Sequence, residues 1–284
     1  MTPSDTGARV VVGLDDTATA LHAVAWAAAE ASARGCALSI VHATPRLAEP
    51  APGRGHDLLD LGRAAAAASD PQLAVSTLQV DDGPATALLD AAEDAVLLVA
   101  GLASTTLADS MLGSIGLDQL GPASCPVAVV RPPDTVGGAV VVAGAEPGCD
   151  NSTVLAAAFA AAAAHHGPLT VAYVLARGTS STPDDLHDCI RLWSVPYPSV
   201  DVDVRSVAGE PADVLAQVSE GARMLVVGGP SGRGGERPLF GSTTRSLAWN
   251  SRCPVLVARA TAGAGGPARL VGTTAAAGDP PARG

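Results

Sequence analysis

Lysine is absent from this chain of 284 residues, so all 17 basic residues are arginines. The absence excludes a lysine Schiff base, and it also excludes a P-loop, whose lysine contacts the phosphates of the nucleotide. Aromatic residues are scarce at 2%, which means that alanine, valine and leucine must build the core. Small aliphatic side chains suit close packing of helices on a valine-rich sheet better than they suit an aromatic-lined groove.

Long apolar runs and a basic surface are missing as well. The longest apolar stretch, 154–164, is too short to cross a bilayer as a helix. A net charge of −11 argues against non-specific binding to DNA or RNA. We therefore expect neither a membrane nor a nucleic acid as a partner.

The five cysteines include no C-x-x-C pair, and no secretion signal opens the sequence. These features predict reduced thiols in a cytoplasmic protein. His165 and His166 have no acidic or cysteine partner at metal-ligand spacing. Asp15 and Asp16 are adjacent and would point to opposite faces of a strand, and no Gly-x-Ser-x-Gly is present. The sequence thus predicts no metal site and no catalytic residue.

What the sequence does contain is a repeat of strand and helix patterns. Three anchors of the first half recur 128 residues later, namely Gly101, Gly113-Ser114 and Cys125-Pro126-Val127 as Gly229, Gly241-Ser242 and Cys253-Pro254-Val255. Strands that alternate with helices indicate a parallel sheet. We predict two tandem Rossmann-like α/β domains, 8–132 and 138–260, each with a five-stranded parallel sheet covered by helices on both faces, with a disordered tail at 261–284.

Short apolar runs place the strands of these two halves. The predicted strands are 9–14, 37–42, 74–80, 95–100 and 126–130, and then 139–144, 169–174, 200–207, 224–227 and 254–258. No element is assigned between 175 and 199. A helix is predicted after Ser114 in the first half and after Gly241 in the second.

The glycine-rich segment that follows the strand 224–227 is the most informative part of the chain. It contains Gly229 and Gly232 and ends at Gly241-Ser242-Thr243, and serine and threonine favour a helix start. Glycines let backbone N–H groups approach an anion, and a helix start adds partial positive charge. The pattern predicts a phosphate site, with a flexible surface loop as the alternative. Three arginines surround the segment, namely Arg233, Arg237 and Arg245.

Two stretches resemble parts of universal stress protein domains. The run Val10-Val11-Val12-Gly13-Leu14-Asp15 resembles the opening strand, and 225–258 resembles the end of the domain. The resemblance covers nearly all of both halves, so the chain resembles a tandem universal stress protein. It implies a regulatory, non-enzymatic protein whose two halves pair through their closing strands and which can dimerise further.

The resemblance also implies which residues would bind ATP. In the second half it assigns the phosphates to the glycines and the helix start, and it lines the adenine pocket with the end of the second strand. The residues concerned are Gly229, Gly232, Gly241, Ser242 and Thr243, with Arg233 in support, and Val174. Eight residues separate Gly232 from Gly241, one fewer than in the family pattern.

In the first half the resemblance assigns the adenine contact to Asp15. There Ser104 replaces the second glycine, and Asp109 would repel phosphate. In the second half Ala145 was aligned with Asp15, which predicts a loosely held base. We therefore expect weak binding of ATP, with its accompanying Mg²⁺, mainly in the second half.

Other functions remain open at this point. The first is a nucleotide-free scaffold that acts through dimerisation and protein–protein interaction. The second is an ATP-using enzyme of the same α/β superfamily, and weak ATP hydrolysis by a regulatory protein is compatible with the same residues. A single nucleotide site composed of residues from both halves is a further arrangement.

Overall fold

The computed structural model describes residues 7–44, 54–102, 116–132, 138–146, 151–175, 184–229 and 240–259. Strands and helices alternate through both halves. The strands are β1 (Arg9–Gly13), β2 (Ala37–Ala43), β3 (Val75–Val80), β4 (Leu97–Gly101), β5 (Val127–Val130), β6 (Val141–Ala145), β7 (Leu169–Leu175), β8 (Val202–Ala208), β9 (Met224–Gly228) and β10 (Val255–Ala258). The helices are α1 (Ala18–Arg34), α2 (Arg54–Ser69), α3 (Pro84–Ala91), α4 (Ser152–Ala164), α5 (Asp184–Ser194), α6 (Pro211–Val218) and α7 (Ser242–Asn250), with a 3₁₀ helix at Leu117–Leu120.

All ten strands lie in one sheet of order β3-β2-β1-β4-β5-β10-β9-β6-β7-β8. Neighbours within each half are parallel, whereas β5 and β10 are antiparallel, with Val129 opposite Val255. Two five-stranded parallel sheets are therefore confirmed. The pairing of the halves through their closing strands, which the resemblance implies, is also present: β5 and β10 hydrogen-bond edge to edge, cover each other and join the two sheets into one.

Helices cover both faces of the sheet, as predicted. Helices α1, α2, α4 and α5 contribute buried residues to the core on one face, and α3, α6, α7 and the 3₁₀ helix contribute to the core on the other. Small residues dominate the first face, where Ala23, Ala27, Ala158 and Ala162 are fully buried. Alanine side chains let α1 and α4 approach the sheet closely, which agrees with the scarcity of aromatic residues.

Most element boundaries follow the sequence prediction, and every predicted strand is present with ends that differ by one or two residues. Helix α5 was missed, although Leu186, Ile190 and Trp193 recur at helical spacing and are buried. Between position 115 and β5, the described residues form the 3₁₀ helix Leu117–Leu120 where a helix was predicted. The domain limits 8–132 and 138–260 stay predictions, and the predicted tail 261–284 lies outside the described residues.

Strand register gives a residue-by-residue equivalence between the halves. Gly13 of β1 lies under Leu88 of α3, and Gly144 of β6 lies under Leu215 of α6, so the two glycines are equivalent. Val10 and Val141, three residues earlier, are therefore equivalent too, and they lie opposite Leu38 on β2 and Leu169 on β7. Helix ends support the same spacing. Helix α1 is followed by Gly35, which has φ 63°. The residue equivalent to Gly35 is His166, which follows α4 and its C-cap residue His165 and has φ 51°.

A buried polar contact joins the two halves on the face that carries α1 and α4. Glu30 of α1 is fully buried, and its Oε1 lies 2.6 Å from Nε2 of His165. Arg34 donates to the other carboxylate oxygen. Burial, followed by the cations Arg223 and Arg34, lowers the pKa of His165 to about 4 in spite of the adjacent Glu30. The neutral imidazole therefore donates a hydrogen bond from Nε2–H to Glu30, whose carboxylate also pairs with Arg34.

We expect His166→Gly to raise the free energy of unfolding by about 1 kcal/mol. A non-glycine residue is strained in the left-handed region, which glycine adopts freely. The matched change Gly35→Ala should lower the same free energy by about 1 kcal/mol, because a Cβ there meets no atom within 4 Å and only the backbone is strained. Urea unfolding of both variants measures this, and shifts of the same sign would contradict it.

We also expect the free energy of unfolding to depend on pH through His165. Its pKa in the folded protein lies below the ordinary value of 6.5, so the unfolded chain binds the extra proton first as pH falls. The contribution is complete above pH 6.5 and is lost between pH 6.5 and 4, by about 3 kcal/mol.

Urea unfolding at a series of pH values should therefore show a shallower acid loss for His165→Gln than for the wild type. His56→Gln, which changes an exposed histidine on α2, serves as the control. Identical pH profiles for the wild type and His165→Gln would contradict the buried neutral histidine.

Candidate functional site

The second half has its topological switch point between β6 and β9. From β6 the chain continues outward to β7 and β8, and it then crosses back to β9 on the other side. Ligands of open parallel sheets bind at the carboxyl ends of strands at such a point. Ala145, Gly228 and the start of the glycine-rich segment lie there.

The two described ends of the glycine-rich segment are held next to each other. Gly229 follows β9 directly, and Phe240 returns the chain to the core with 1% of its surface exposed. The hydroxyl of Thr244, in the first turn of α7, donates to the carbonyl of Gly228 at 3.2 Å. Gly232 and Arg233 are part of 230–239, outside the described residues.

The start of α7 presents backbone N–H groups without a side-chain cap. Gly241 is the N-cap residue, with φ −69° and ψ 175°, whereas the sequence pattern favoured a serine or threonine cap. Ser242 is exposed and Thr243 is half-buried at the first turn. Uncapped N–H groups and an exposed hydroxyl at a helix start are suitable donors for an anion.

Arg245 contributes differently from what the sequence suggested. Its guanidinium donates two hydrogen bonds to the carboxylate of Asp118, at 2.7 and 2.9 Å. This guanidinium is therefore paired with the 3₁₀ helix of the first half. Arg237, like Arg233, lies outside the described residues.

The strand register corrects the alignment of the adenine position. Counting forward from the equivalent residues Val10 and Val141, Leu14 matches Ala145 and Asp15 matches Glu146. Burial agrees, because Leu14 and Ala145 both belong to the core on the same face. The second-half equivalent of Asp15 is therefore Glu146, one residue after Ala145, which the sequence analysis places there. An acidic side chain is present at this position in both halves.

The surroundings of Glu146 keep its backbone in place at the end of β6. Its N–H donates to Oδ1 of Asn151 at 3.1 Å, and Nδ2 of Asn151 donates to its carbonyl at 3.1 Å. The residue is exposed. Val174 lies near the end of the adjacent strand β7, and its side chain is 2% exposed in the core. The exposed side chain of Glu146 therefore places a carboxylate at the end of β6, whereas the side chain of Val174 is packed in the core.

In the first half Asp15 participates in the start of α1. Its Oδ1 accepts hydrogen bonds from the N–H of Thr17 at 3.0 Å and from the hydroxyl of Thr17 at 2.5 Å. The same hydroxyl accepts a hydrogen bond from the N–H of Ala20, so Thr17 caps the helix. Asp15 is thus half-buried in a local turn that accounts for its presence without a ligand.

Gly101, at the end of β4, also has a structural explanation. A Cβ at this position would lie 3.2 Å from the carbonyl oxygen of Thr19, closer than most real contacts. Register further shows that Gly101, opposite Val130, is equivalent to Gly228, opposite Ala258, and not to Gly229 as the repeat suggested. The first-half residues Ser104, Asp109, Gly113 and Ser114 lie outside the described residues.

The antiparallel junction rules out a site built from Asp15 and Gly229 together. Because β5 and β10 run in opposite directions, the carboxyl ends of the two sets of strands lie at opposite edges of the sheet. Any nucleotide site must therefore be built at the carboxyl edge of one half.

Within the described ranges, no cluster of three or more His, Cys, Asp or Glu side chains is arranged to hold a metal ion. In that same part of the chain, no helix is both long and apolar enough to cross a membrane.

Fold and site together define a tandem α/β protein whose halves share one sheet and whose glycine-rich segment begins at the switch point of the second half. The chain belongs to the universal stress protein family, since that family's model matches residues 8–131 and 188–259.

Proteins of the same family from Mycobacterium tuberculosis are similar over nearly the whole chain. Universal stress protein Rv2623 is 30% identical, with 91% of this chain and 99% of the relative covered. Universal stress protein Rv2028c is 27% identical over 87% and 95% of the two chains. A universal stress protein from Archaeoglobus fulgidus has the same fold, with a TM-score of 0.68, 17% identity, and coverage of 88% and 97%.

Proposed function

We propose that this protein is a stress-response regulator that binds ATP at the carboxyl edge of the second half. The observation that carries the proposal is the hydrogen bond from Thr244 to Gly228, which brings the end of β9 and the uncapped start of α7 together. Phosphates would lie against Gly229, Gly232, Gly241 and Ser242, with Thr243 and Arg233 in support. A glycine-rich segment ending in a helix start suits such an anion.

The base would be held by Glu146. A carboxylate can accept a hydrogen bond from the exocyclic amino group of adenine, which an alanine side chain cannot do. Glu146 is longer than Asp15 by one methylene group and is exposed at the end of β6. We therefore expect the second half to discriminate adenine from a base without an amino donor, more strongly than the sequence alone suggested.

Charge and packing favour the second half over the first. Beyond the acidic position that both halves share, three aspartates follow the carboxyl ends of first-half strands, namely Asp16, Asp81 and Asp82. Their negative charge opposes phosphate binding, and Asp15 is already hydrogen-bonded to Thr17. The proposal therefore assigns the first half a structural role and not a second nucleotide.

The proposed regulator acts in the cytoplasm and changes no substrate chemically. The four cysteines in the described residues are free thiols, which suits a reducing compartment. Mg²⁺ would enter with ATP, held by the phosphates rather than by a set of protein carboxylates.

A nucleotide-free scaffold is the second candidate. It is favoured by the pairing of β5 with β10, which joins the halves into one sheet without any ligand. Such a scaffold would act through further self-association or through a protein partner. Calorimetry with ATP separates the two candidates directly.

We expect Gly232→Val to abolish ATP binding in calorimetry, because a side chain would block backbone approach to the phosphates. Glu146→Gln should weaken binding by about ten- to a hundredfold, since it removes a charge-assisted hydrogen bond to the base. The matched first-half change Asp15→Asn should leave the affinity unchanged. Loss of binding in Asp15→Asn but not in Gly232→Val would contradict the assignment to the second half.

A further inference from the structure

The helix that starts at the proposed phosphate site is bound to the other half of the molecule. Arg245 lies in the first turns of α7, and its two terminal nitrogens each contact one oxygen of Asp118. Asp118 belongs to the 3₁₀ helix that precedes β5 in the first half. This paired geometry, with two parallel N–H···O bonds, is the most directional that an arginine and a carboxylate form.

The location of this contact follows from the antiparallel junction. Because β5 and β10 run in opposite directions, the chain that enters β5 lies beside the carboxyl end of β10. The 3₁₀ helix of the first half therefore borders the carboxyl edge of the second half, where the nucleotide is proposed to bind. The first half thus borders the proposed site, although the glycines of that site belong to the second half.

A second arginine of the second half contacts the same segment. Arg259 follows β10, and its guanidinium donates to the carbonyls of Gly121 and Ala123. Arg245 and Arg259 therefore hold the stretch 118–123 at both ends. The first contact joins α7 to the first half, and the second joins the end of β10 to the same segment.

The arrangement is not reciprocal between the halves. The register of β5 and β10 makes Leu117 the equivalent of Arg245 and Ser246 the equivalent of Asp118, so the matching ion pair cannot form. Arg131 is the equivalent of Arg259, and among the described residues its buried Nε has no hydrogen-bond partner. Within the described residues, the helix start that is anchored across the junction is that of α7, in the half with the glycine-rich segment.

Two side chains thus fix the first turns of α7 from different directions. Thr244 ties the helix to the end of β9 within the second half, and Arg245 ties it to the first half. Backbone N–H groups bind an anion well only when the helix that presents them is held in one orientation. A contact that holds α7 should therefore raise the affinity for phosphate.

We propose that Asp118 of the first half is a positioning residue for the nucleotide site of the second half. It acts through Arg245 by fixing the start of α7, and it makes nucleotide affinity depend on how the halves are paired. The inference rests on the proposed function. It goes further by giving the first half a role in the affinity of that site.

The opposite effect is expected if Asp118 merely occupies Arg245. A phosphate would then compete with the carboxylate for the guanidinium, and removing the charge of Asp118 would tighten ATP binding. The direction of the change in affinity therefore distinguishes positioning from competition.

The experiment uses the full chain and ATP with Mg²⁺ in calorimetry at low and high salt. Asp118→Asn should weaken binding about two- to fivefold at low salt, and less at high salt, since both side chains are about half exposed. Arg245→Gln should have a similar effect, and the double variant should be no weaker than either single one.

Glu220→Gln is the matched control. It breaks an equally exposed ion pair with Arg252 that lies within the second half, at 2.8 Å. Binding of ATP should be unchanged. Equal or tighter binding by Asp118→Asn, or the same loss in Glu220→Gln, would overturn the proposal.

Hydrogen exchange of the nucleotide-free chain separates this inference from the proposed function. The amides of 245–250 should exchange about two- to fivefold faster in Asp118→Asn and unchanged in Glu220→Gln, because the start of α7 is less firmly held. If the wild type binds no ATP, the proposed function fails while this readout still decides the positioning role. Unchanged exchange in Asp118→Asn would overturn that role.

Discussion

The antiparallel hydrogen bonding between β5 and β10 is the interaction on which the rest of the structure depends. It covers the two valine-rich edges that would otherwise be exposed, and it makes one sheet out of two repeats. It brings α1 and α4 together on one face, so that Glu30 meets His165. It also brings the 3₁₀ helix of the first half beside α7 of the second, so that Asp118 meets Arg245.

The same junction determines what kind of site the protein can have. With the carboxyl edges of the halves on opposite sides of the sheet, each half must supply the strand ends for its own ligand. The first half follows its strands with aspartates and uses Asp15 in a helix cap, whereas the second half places Glu146 and the start of α7 around its switch point. The duplication has therefore led to different roles for the two halves, with one proposed to bind nucleotide and the other to support it.

The sequence was sufficient for the architecture because the signals involved are local and repeated. Apolar runs place all ten strands, and the repeat of Cys-Pro-Val before β5 and β10 marks the closing strands. Helix α5 was missed even though Leu186 and Ile190 have helical spacing, because no repeat anchor falls in that region.

The details of the site were harder to predict because they depend on register and on distant contacts. Aligning the predicted strands 9–14 and 139–144 by their ends pairs Asp15 with Ala145, and a shift of one residue on a strand exchanges a core position for one at the site. The packing of Gly13 against Leu88 and of Gly144 against Leu215 shows that Glu146 is the equivalent residue. Likewise, no local pattern indicates that Arg245 pairs with Asp118, because the contact exists only through the junction.

Glycine illustrates why a motif alone does not identify a site. Gly13 and Gly144 are equivalent, and a Cβ at either would meet the leucine of the helix packed above it, Leu88 or Leu215. Gly101 is likewise accounted for by its close approach to Thr19. Such glycines recur because helices pack closely on the sheet, so their repetition in the first half is compatible with the absence of a nucleotide there.

Native mass spectrometry of the intact chain during titration with ATP and Mg²⁺ tests the central claim most directly. The account predicts saturation at one nucleotide per chain, because the proposed site belongs to the second half. Two nucleotides per chain at saturation would show that the first half binds as well, and would contradict the division of roles between the halves.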